Sequence, residues 1–252
     1  MPEKKISPVY KVVKFFLRLF YGKVKVEGLE HVPEDTCIIV ANHAQLNGPI
    51  CAELYLPMER YTWCQGQMLD RDEVTDYVFE DFWSFKPKRS QWFYKLMSLW
   101  VGPLLYFVNK NANTIGVYRD ARLLSTFKST VKCLQEGMPV VIFPEQNVEH
   151  NHIVYDFQPH FIDVAKMYHK RTGKSVSFVP AYIAPRLRTV QFGKPVVFCP
   201  EADMDAQRED IRRYLMEEIT RVAEAMPEHT VVPYRNIPKK CYPKNRVGGK
   251  ES

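Results

Sequence analysis

The residues of this chain best suited to chemistry stand where apolar runs break off. Asn42-His43 follows Cys37-Ile38-Ile39-Val40-Ala41, Arg119 follows Thr114-Ile115-Gly116-Val117-Tyr118, and Pro144-Glu145 follows Val140 to Phe143. Val179-Pro180-Ala181 lies inside a fourth such run. A histidine titrates near neutrality, so an uncharged imidazole at position 43 can take a proton from a hydroxyl group. The planar guanidinium of Arg119 matches a phosphate through two parallel hydrogen bonds. Glu145 can orient an acceptor or its own loop. Each residue also has a plainer use: a histidine bonded to its loop, an arginine in a surface ion pair, a structural glutamate.

Other reaction types are disfavoured. There is no G-x-S-x-G nucleophile elbow and no G-x-G-x-x-G phosphate loop. Gly173-Lys174-Ser175 resembles the end of a P-loop, but Tyr168 stands where the first glycine belongs. His150 and His152, with Glu149, Asp156 and His160 nearby, could gather around a metal only if the segment were extended. The segment reads as a solvated loop, so no metal is expected.

The apolar runs are the elements that position these groups. Cys37–Ala41 and Pro139–Phe143 are short and rich in β-branched residues, as strands covered on both faces are. Lys23–Glu27, Thr114–Tyr118, Val176–Ile183 and Thr189–Phe198 supply further strands. Helical periodicity appears over 7–21, 120–135 (stopped by Gly137), 161–168 and a segment capped by Asp203 or Asp205 that reaches about Met226. Alternating strands and helices predict an α/β fold with a mainly parallel central sheet flanked by helices. A residue just past a buried strand then faces the crevice where such sheets bind ligands. The run Trp92–Val108 is the most apolar of the chain; Gly102-Pro103 is expected to break or kink it, and burial in the core is its default reading, with the wall of an acyl-chain tunnel or a second membrane-dipping face as alternatives.

The 252 residues are 46% hydrophobic and 25% charged, an ordinary globular composition, with a net charge of +6 that suits an anionic partner. The six cysteines show no paired spacing and read as reduced thiols. No signal peptide and no transmembrane span are expected. In 7–21, Lys11, Lys14 and Arg18 share one face among Val, Phe and Leu, the composition of a helix lying in a membrane interface or packed on the core. Basic residues gather beside Phe, Leu and Trp runs instead of forming one basic stripe, which ranks nucleic-acid binding last.

Four motifs in this order resemble the glycerolipid acyltransferase family of the lysophosphatidic acid acyltransferase type. Asn42-His43 match the start of its N-H-x-x-x-x-D block. Ile115 to Arg119 are similar to its second block, Phe143-Pro144-Glu145 to the first half of F-P-E-G-T-R, and Val179-Pro180-Ala181 to its fourth. The resemblance spans about residues 24–200. It implies an acyl group moved from acyl-CoA or acyl-carrier protein to a hydroxyl of a lysophospholipid or glycerol-phosphate acceptor. His43 would be the general base, with Asn42 and Glu145 in the catalytic group. Arg119, Pro144 and Pro180 would belong to substrate binding, and no cofactor beyond the acyl donor is needed. It further implies a peripheral protein on the cytoplasmic membrane face with an acyltransferase-like domain over 24–232; composition adds an amphipathic membrane-associating helix over 1–23 and a basic tail over 233–252, rich in Pro, Lys and Gly, that reads as flexible.

Two positions depart from the family pattern. Gly48 stands where the family Asp would orient the histidine, and Gln146-Asn147-Val148 replace Gly-Thr-Arg. Either another carboxylate (Glu145 first, then Glu149 or Asp156) reaches His43, or no partner exists and the protein is slow or inactive; a residual His43-dependent transfer is expected, with a family member that binds lipid or acyl carrier without turnover as the rival reading.

Overall fold

The computed structural model describes residues 7–118 and 120–246. The elements in chain order are α1 (Pro8–Tyr21), β1 (Lys25–Glu27), β2 (Cys37–Ala41), α2 (Asn47–Tyr55), β3 (Tyr61–Gln65), α3 (Val74–Trp83), α4 (Lys88–Asn111), β4 (Thr114–Val117) and α5 (Leu123–Gln135). There follow β5 (Val140–Ile142), β6 (Glu145–Glu149), β7 (Tyr155–Phe157), α6 (Asp163–Thr172), β8 (Ser177–Ala184), β9 (Thr189–Phe192), β10 (Val196–Val197) and α7 (Met204–Ala225). The expected α/β fold with a mainly parallel sheet flanked by helices is present. The chain forms two compact units: residues up to Tyr21 with Thr62–Ser129, and Gly22–Tyr61 with the chain from Thr130 onward.

In the second unit the strand order is β1-β9-β8-β2-β5. β2 runs parallel to β5 (Val40 beside Ile142) and to β8 (Val40 beside Pro180), and all five of its residues are buried. The uninterrupted apolar run of β2 follows from this position, since side chains on both faces meet protein. Pro180 sits inside β8 between its two antiparallel partners: Phe178 pairs with Val196 of β10 and Ala181 with Phe192 of β9. A residue without an N–H is tolerated in that gap, and its carbonyl still accepts from the Gly193 N–H at 2.9 Å. Asp203 caps α7, accepting from the Asp205 and Ala206 N–H groups at 3.0 Å each, and Gly137 follows α5 with φ 78°. After α7 the chain doubles back. The Val231 N–H donates to Pro243 O at 2.9 Å, Thr230 bridges Lys244, and the buried Asn245 accepts the His229 N–H at 2.8 Å.

In the first unit β3 and β4 pair in parallel, Thr62 beside Thr114, and α4 packs along α3. A break at Gly102-Pro103 and burial of Trp92–Val108 are both overturned here. The helix runs on through Pro103, because Gly102 lets it approach α3: a Cβ at Gly102 would lie 2.8 Å from Thr75 Oγ1. Packing at this seam offsets the hydrogen bond that the proline removes. The stretch is also not core. Small residues, Ser98 and Gly102, form the buried positions, which leaves Trp92, Leu96, Leu99, Trp100 and Leu104 exposed, Trp100 by 75%. On α1, Tyr10 is buried while Phe15, Leu19 and Phe20 are exposed. Among the described residues no helix is long and apolar enough to cross a membrane.

Candidate active site

The registers of β2 and β5 bring His43 and Glu145 together. His43 lies three residues beyond Val40 and Glu145 three beyond Ile142, and those two are partners in adjacent parallel strands. Neighbouring strands are about 4.8 Å apart, so side chains at equal offsets past the carboxyl ends come within reach. The Glu145 carboxylate, fully buried, accepts the main-chain N–H of His43 through Oε2 and that of Tyr155 through Oε1 at 2.9 Å. It therefore ties the end of β2 to the β6–β7 hairpin. Burial pushes its pKa up to about 7, although the two N–H donors oppose the rise.

Asn42 locks the other side. Its Nδ2 donates to Ile183 O at 3.1 Å and its Oδ1 accepts the Ile183 N–H at 2.7 Å, so a side-chain amide continues the β2–β8 pairing past the end of the strand. With both flanks fixed, the His43 main chain has little freedom. The imidazole is half-buried, set edge-on against Phe143 (ring centroids 5.4 Å) and Tyr234 (5.7 Å). Burial lowers its pKa below the ordinary histidine value, more than its hydrogen bond to Gln45 raises it.

No carboxylate partners the imidazole among the described residues. The His43 Nδ1 bonds instead to the main-chain carbonyl of Gln45. A carbonyl oxygen only accepts, so the proton resides on Nδ1 and Nε2 is the basic nitrogen. Of the two outcomes left open, a carboxylate on the ring is therefore not the one found among the described residues. Glu145 reaches His43 but bonds to its backbone; Glu149 accepts from the Tyr155 hydroxyl at 3.3 Å; Asp156 is held by Gln146 at 2.6 Å and by Arg212.

Gly48 explains how the carbonyl arrives there. The Gly48 N–H donates to His43 O at 2.9 Å, closing a tight loop, and a Cβ at position 48 would lie 2.5 Å from His43 O, 2.9 Å from Phe143 Cε1 and 3.0 Å from Asn42 O. Inside the loop Ala44 (φ 45°) and Gln45 (φ 57°) both adopt the left-handed region, which costs a non-glycine residue roughly 1–3 kcal/mol. Asn47 supports it, donating to Ala44 O from its N–H at 3.1 Å and from Nδ2 at 2.9 Å.

Of the other sequence-expected residues, Pro180 is beside Val40 in β8, and Pro144 is buried at the start of the hairpin, its carbonyl accepting from the Gln158 N–H at 2.9 Å. Arg119 lies outside the described residues. Gln45, Tyr155, Tyr234 and Tyr242 were not singled out by sequence; an exposed-looking Gln and scattered tyrosines carry no spacing signal. Among the described residues no group of three His, Cys, Asp or Glu side chains is placed to hold a metal ion.

A protein-family model described as acyltransferase matches residues 23–184, a stretch that contains Asn42, His43, Pro144, Glu145 and Pro180. Among solved structures, the chain is similar to that of the 1-acyl-sn-glycerophosphate (LPA) acyltransferase PlsC from Thermotoga maritima, with 15% identity and a TM-score of 0.45 over 85% of this chain and 80% of that one. No curated protein matches the sequence.

Proposed function

This chain belongs to the acyltransferase family, and on that premise we propose that it moves a fatty acyl group from acyl-CoA or acyl-carrier protein to a hydroxyl of a lysophospholipid or glycerol-phosphate type acceptor, with His43 as general base. The observation that carries the reading is the Nδ1–H bond to the Gln45 carbonyl, which leaves Nε2 as the proton acceptor in a ring kept neutral by burial. In the step, Nε2 takes the hydroxyl proton as the acceptor oxygen attacks the thioester carbonyl. The tetrahedral intermediate collapses, the C–S bond breaks, and the imidazolium returns its proton to the leaving thiolate. No covalent enzyme intermediate is required, since the acceptor oxygen attacks the thioester directly. Asn42 and Glu145 fix the main chain that carries the base. Arg119, in the position of the family's second block, would hold a phosphate of either substrate.

The protein would act at a membrane surface. Exposed Phe15, Leu19 and Phe20 on α1, with Lys11, Lys14 and Arg18 on the same helix, and exposed Trp92 and Trp100 on α4 favour an anionic lipid interface.

The test is acyl transfer from labelled acyl-CoA to a lipid extract by the wild-type protein and by His43→Ala. Transfer that is lost with His43→Ala supports the reading. Equal transfer by both removes His43 from the mechanism, and equal inertness on every acceptor makes binding without turnover the better account.

A further inference from the structure

We propose that the C-terminal segment Tyr234–Tyr242 is a clamp for the catalytic base, with Gln45 and Tyr242 as positioning residues that hold the Gln45 carbonyl on the imidazole of His43. The proposal rests on the reading of His43 as a base, and its test separates the two.

The carbonyl of Gln45 points where the local backbone sends it, and that backbone is strained. Two consecutive non-glycine residues in the left-handed region do not stay there unassisted, and a loop so held needs contacts that over-determine it. Some come from within, through Asn47 and the Gly48 N–H. The remainder come from almost two hundred residues later. Gln45 Nε2 donates to the Tyr242 hydroxyl at 2.8 Å and reaches Arg235 O at 3.4 Å. The adjacent Tyr234 lays its ring against His43 itself, and against Tyr155, whose N–H bonds Glu145. One segment thus touches the base, the residue that supplies its hydrogen-bond partner, and the neighbour of its buried glutamate.

The segment is built to hold such a position. Its neck is closed by the Val231–Pro243 hydrogen bond and the Thr230–Lys244 bridge. Below the neck the buried Asn245 binds His229 and also donates to Ala223 O at 2.8 Å at the end of α7. A loop stapled at its base transmits a fixed position to its tip at low entropic cost. In this arrangement a main-chain carbonyl takes over what a carboxylate at position 48 would do for tautomer and orientation, and the C-terminal segment takes over its support.

The experiment is Tyr242→Phe, which removes the hydroxyl and keeps the ring, with Gln45→Leu as a second route to the same break and Lys240→Ala, an exposed neighbour, as control. The first readout is the His43 tautomer by long-range proton–nitrogen NMR, which needs no substrate. The wild type should show the Nδ1–H form. Both variants should show a mixture moving toward Nε2–H, the form favoured by a solvated histidine side chain. The second readout is kinetic. kcat should fall roughly 5- to 10-fold, the equivalent of one hydrogen bond, with KM little changed. The acid limb of the pH profile should move to lower pH, because the carbonyl bond supports the imidazolium. The double variant should be no worse than either single one. A folded Tyr242→Phe protein with an unchanged tautomer and acid limb overturns the clamp, as does a Lys240→Ala protein that shifts both as far. If wild type transfers no acyl group to any acceptor, the acyltransfer reading falls while the tautomer measurement still decides the clamp.

Discussion

Restoring the family carboxylate by Gly48→Asp should damage the site instead of improving it. A Cβ at position 48 starts 2.5 Å from His43 O and 3.0 Å from Asn42 O, both main-chain atoms flanking the proposed base, and 2.9 Å from the Phe143 ring that packs on it. Ordinary contact begins near 3.4 Å, so the loop must open by about 0.9 Å at its tightest point before the rest of the side chain is accommodated. Opening stretches the Gly48 N–H to His43 O bond and releases the left-handed turn that turns the Gln45 carbonyl toward Nδ1. The stability cost should be that of an overpacked core position, about 1–3 kcal/mol. The effect on turnover should be larger, since a displacement of about 1 Å of a catalytic group costs on the order of 10²-fold.

The assay is acyl transfer at saturating donor, together with thermal melts, for wild type, Gly48→Ala and Gly48→Asp. Gly48→Ala separates size from charge: it adds the clashing Cβ without a carboxylate, and it should lose most of what Gly48→Asp loses. Either full activity in Gly48→Ala or a gain in Gly48→Asp would refute the steric argument. A gain would show that the loop can open to seat an Asp–His pair.

Three further outcomes follow from the same contacts. Glu145 has a folded-state pKa of about 7 against an ordinary value of 4.5, so below pH 4.5 it contributes no pH dependence, and as pH rises the folded state must bear the cost of ionising it, about 3 kcal/mol once pH exceeds 7. Stability should therefore decline between about pH 4.5 and 7 and level off above, and Glu145→Gln should flatten that slope in thermal melts; an unchanged slope would exclude Glu145 as its source. Replacing Lys11, Lys14 and Arg18 by Ser should weaken sedimentation with anionic vesicles by about 1 kcal/mol per charge, and Trp92→Ser with Trp100→Ser should weaken it further; binding unaltered in both would make these surfaces irrelevant to lipid. Arg119→Lys keeps the charge but loses the two-pronged geometry, so KM for the phosphate-bearing substrate should rise with little change in melting temperature, and unaltered kinetics would make Arg119 structural.

What the sequence disclosed and what it hid divide along a physical line. The buried strands were legible because burial on both faces demands continuous apolar runs, and Cys37–Ala41 and Val140–Ile142 have little else they could be. Those runs also located Asn42, His43 and Glu145, since the chain beyond each strand had to reach the same sheet edge. The fate of Trp92–Val108 was not legible: an apolar helix reads the same whether buried or exposed, and only the Ser98–Gly102 seam reveals which narrow face is covered. Nor was the partner of the imidazole. Main-chain carbonyls have no letter in the sequence, and Gly48 reads as a missing aspartate until the space around it is known.

The exchange of a carboxylate for a carbonyl also carries a chemical consequence. A carboxylate beside Nδ1 stabilises the imidazolium by full charge, whereas a carbonyl offers only a dipole, so it fixes the tautomer while doing less for the charged state. With burial already lowering the His43 pKa, the imidazole favours its neutral form and, as the proposed base, is correspondingly weaker. The rate should be low and insensitive to pH above the acid limb, set by how well Nε2 is aimed more than by how strongly it binds a proton. That is why the geometry around Gln45, held by Gly48 from one side and Tyr242 from the other, matters more here than any substitute carboxylate would.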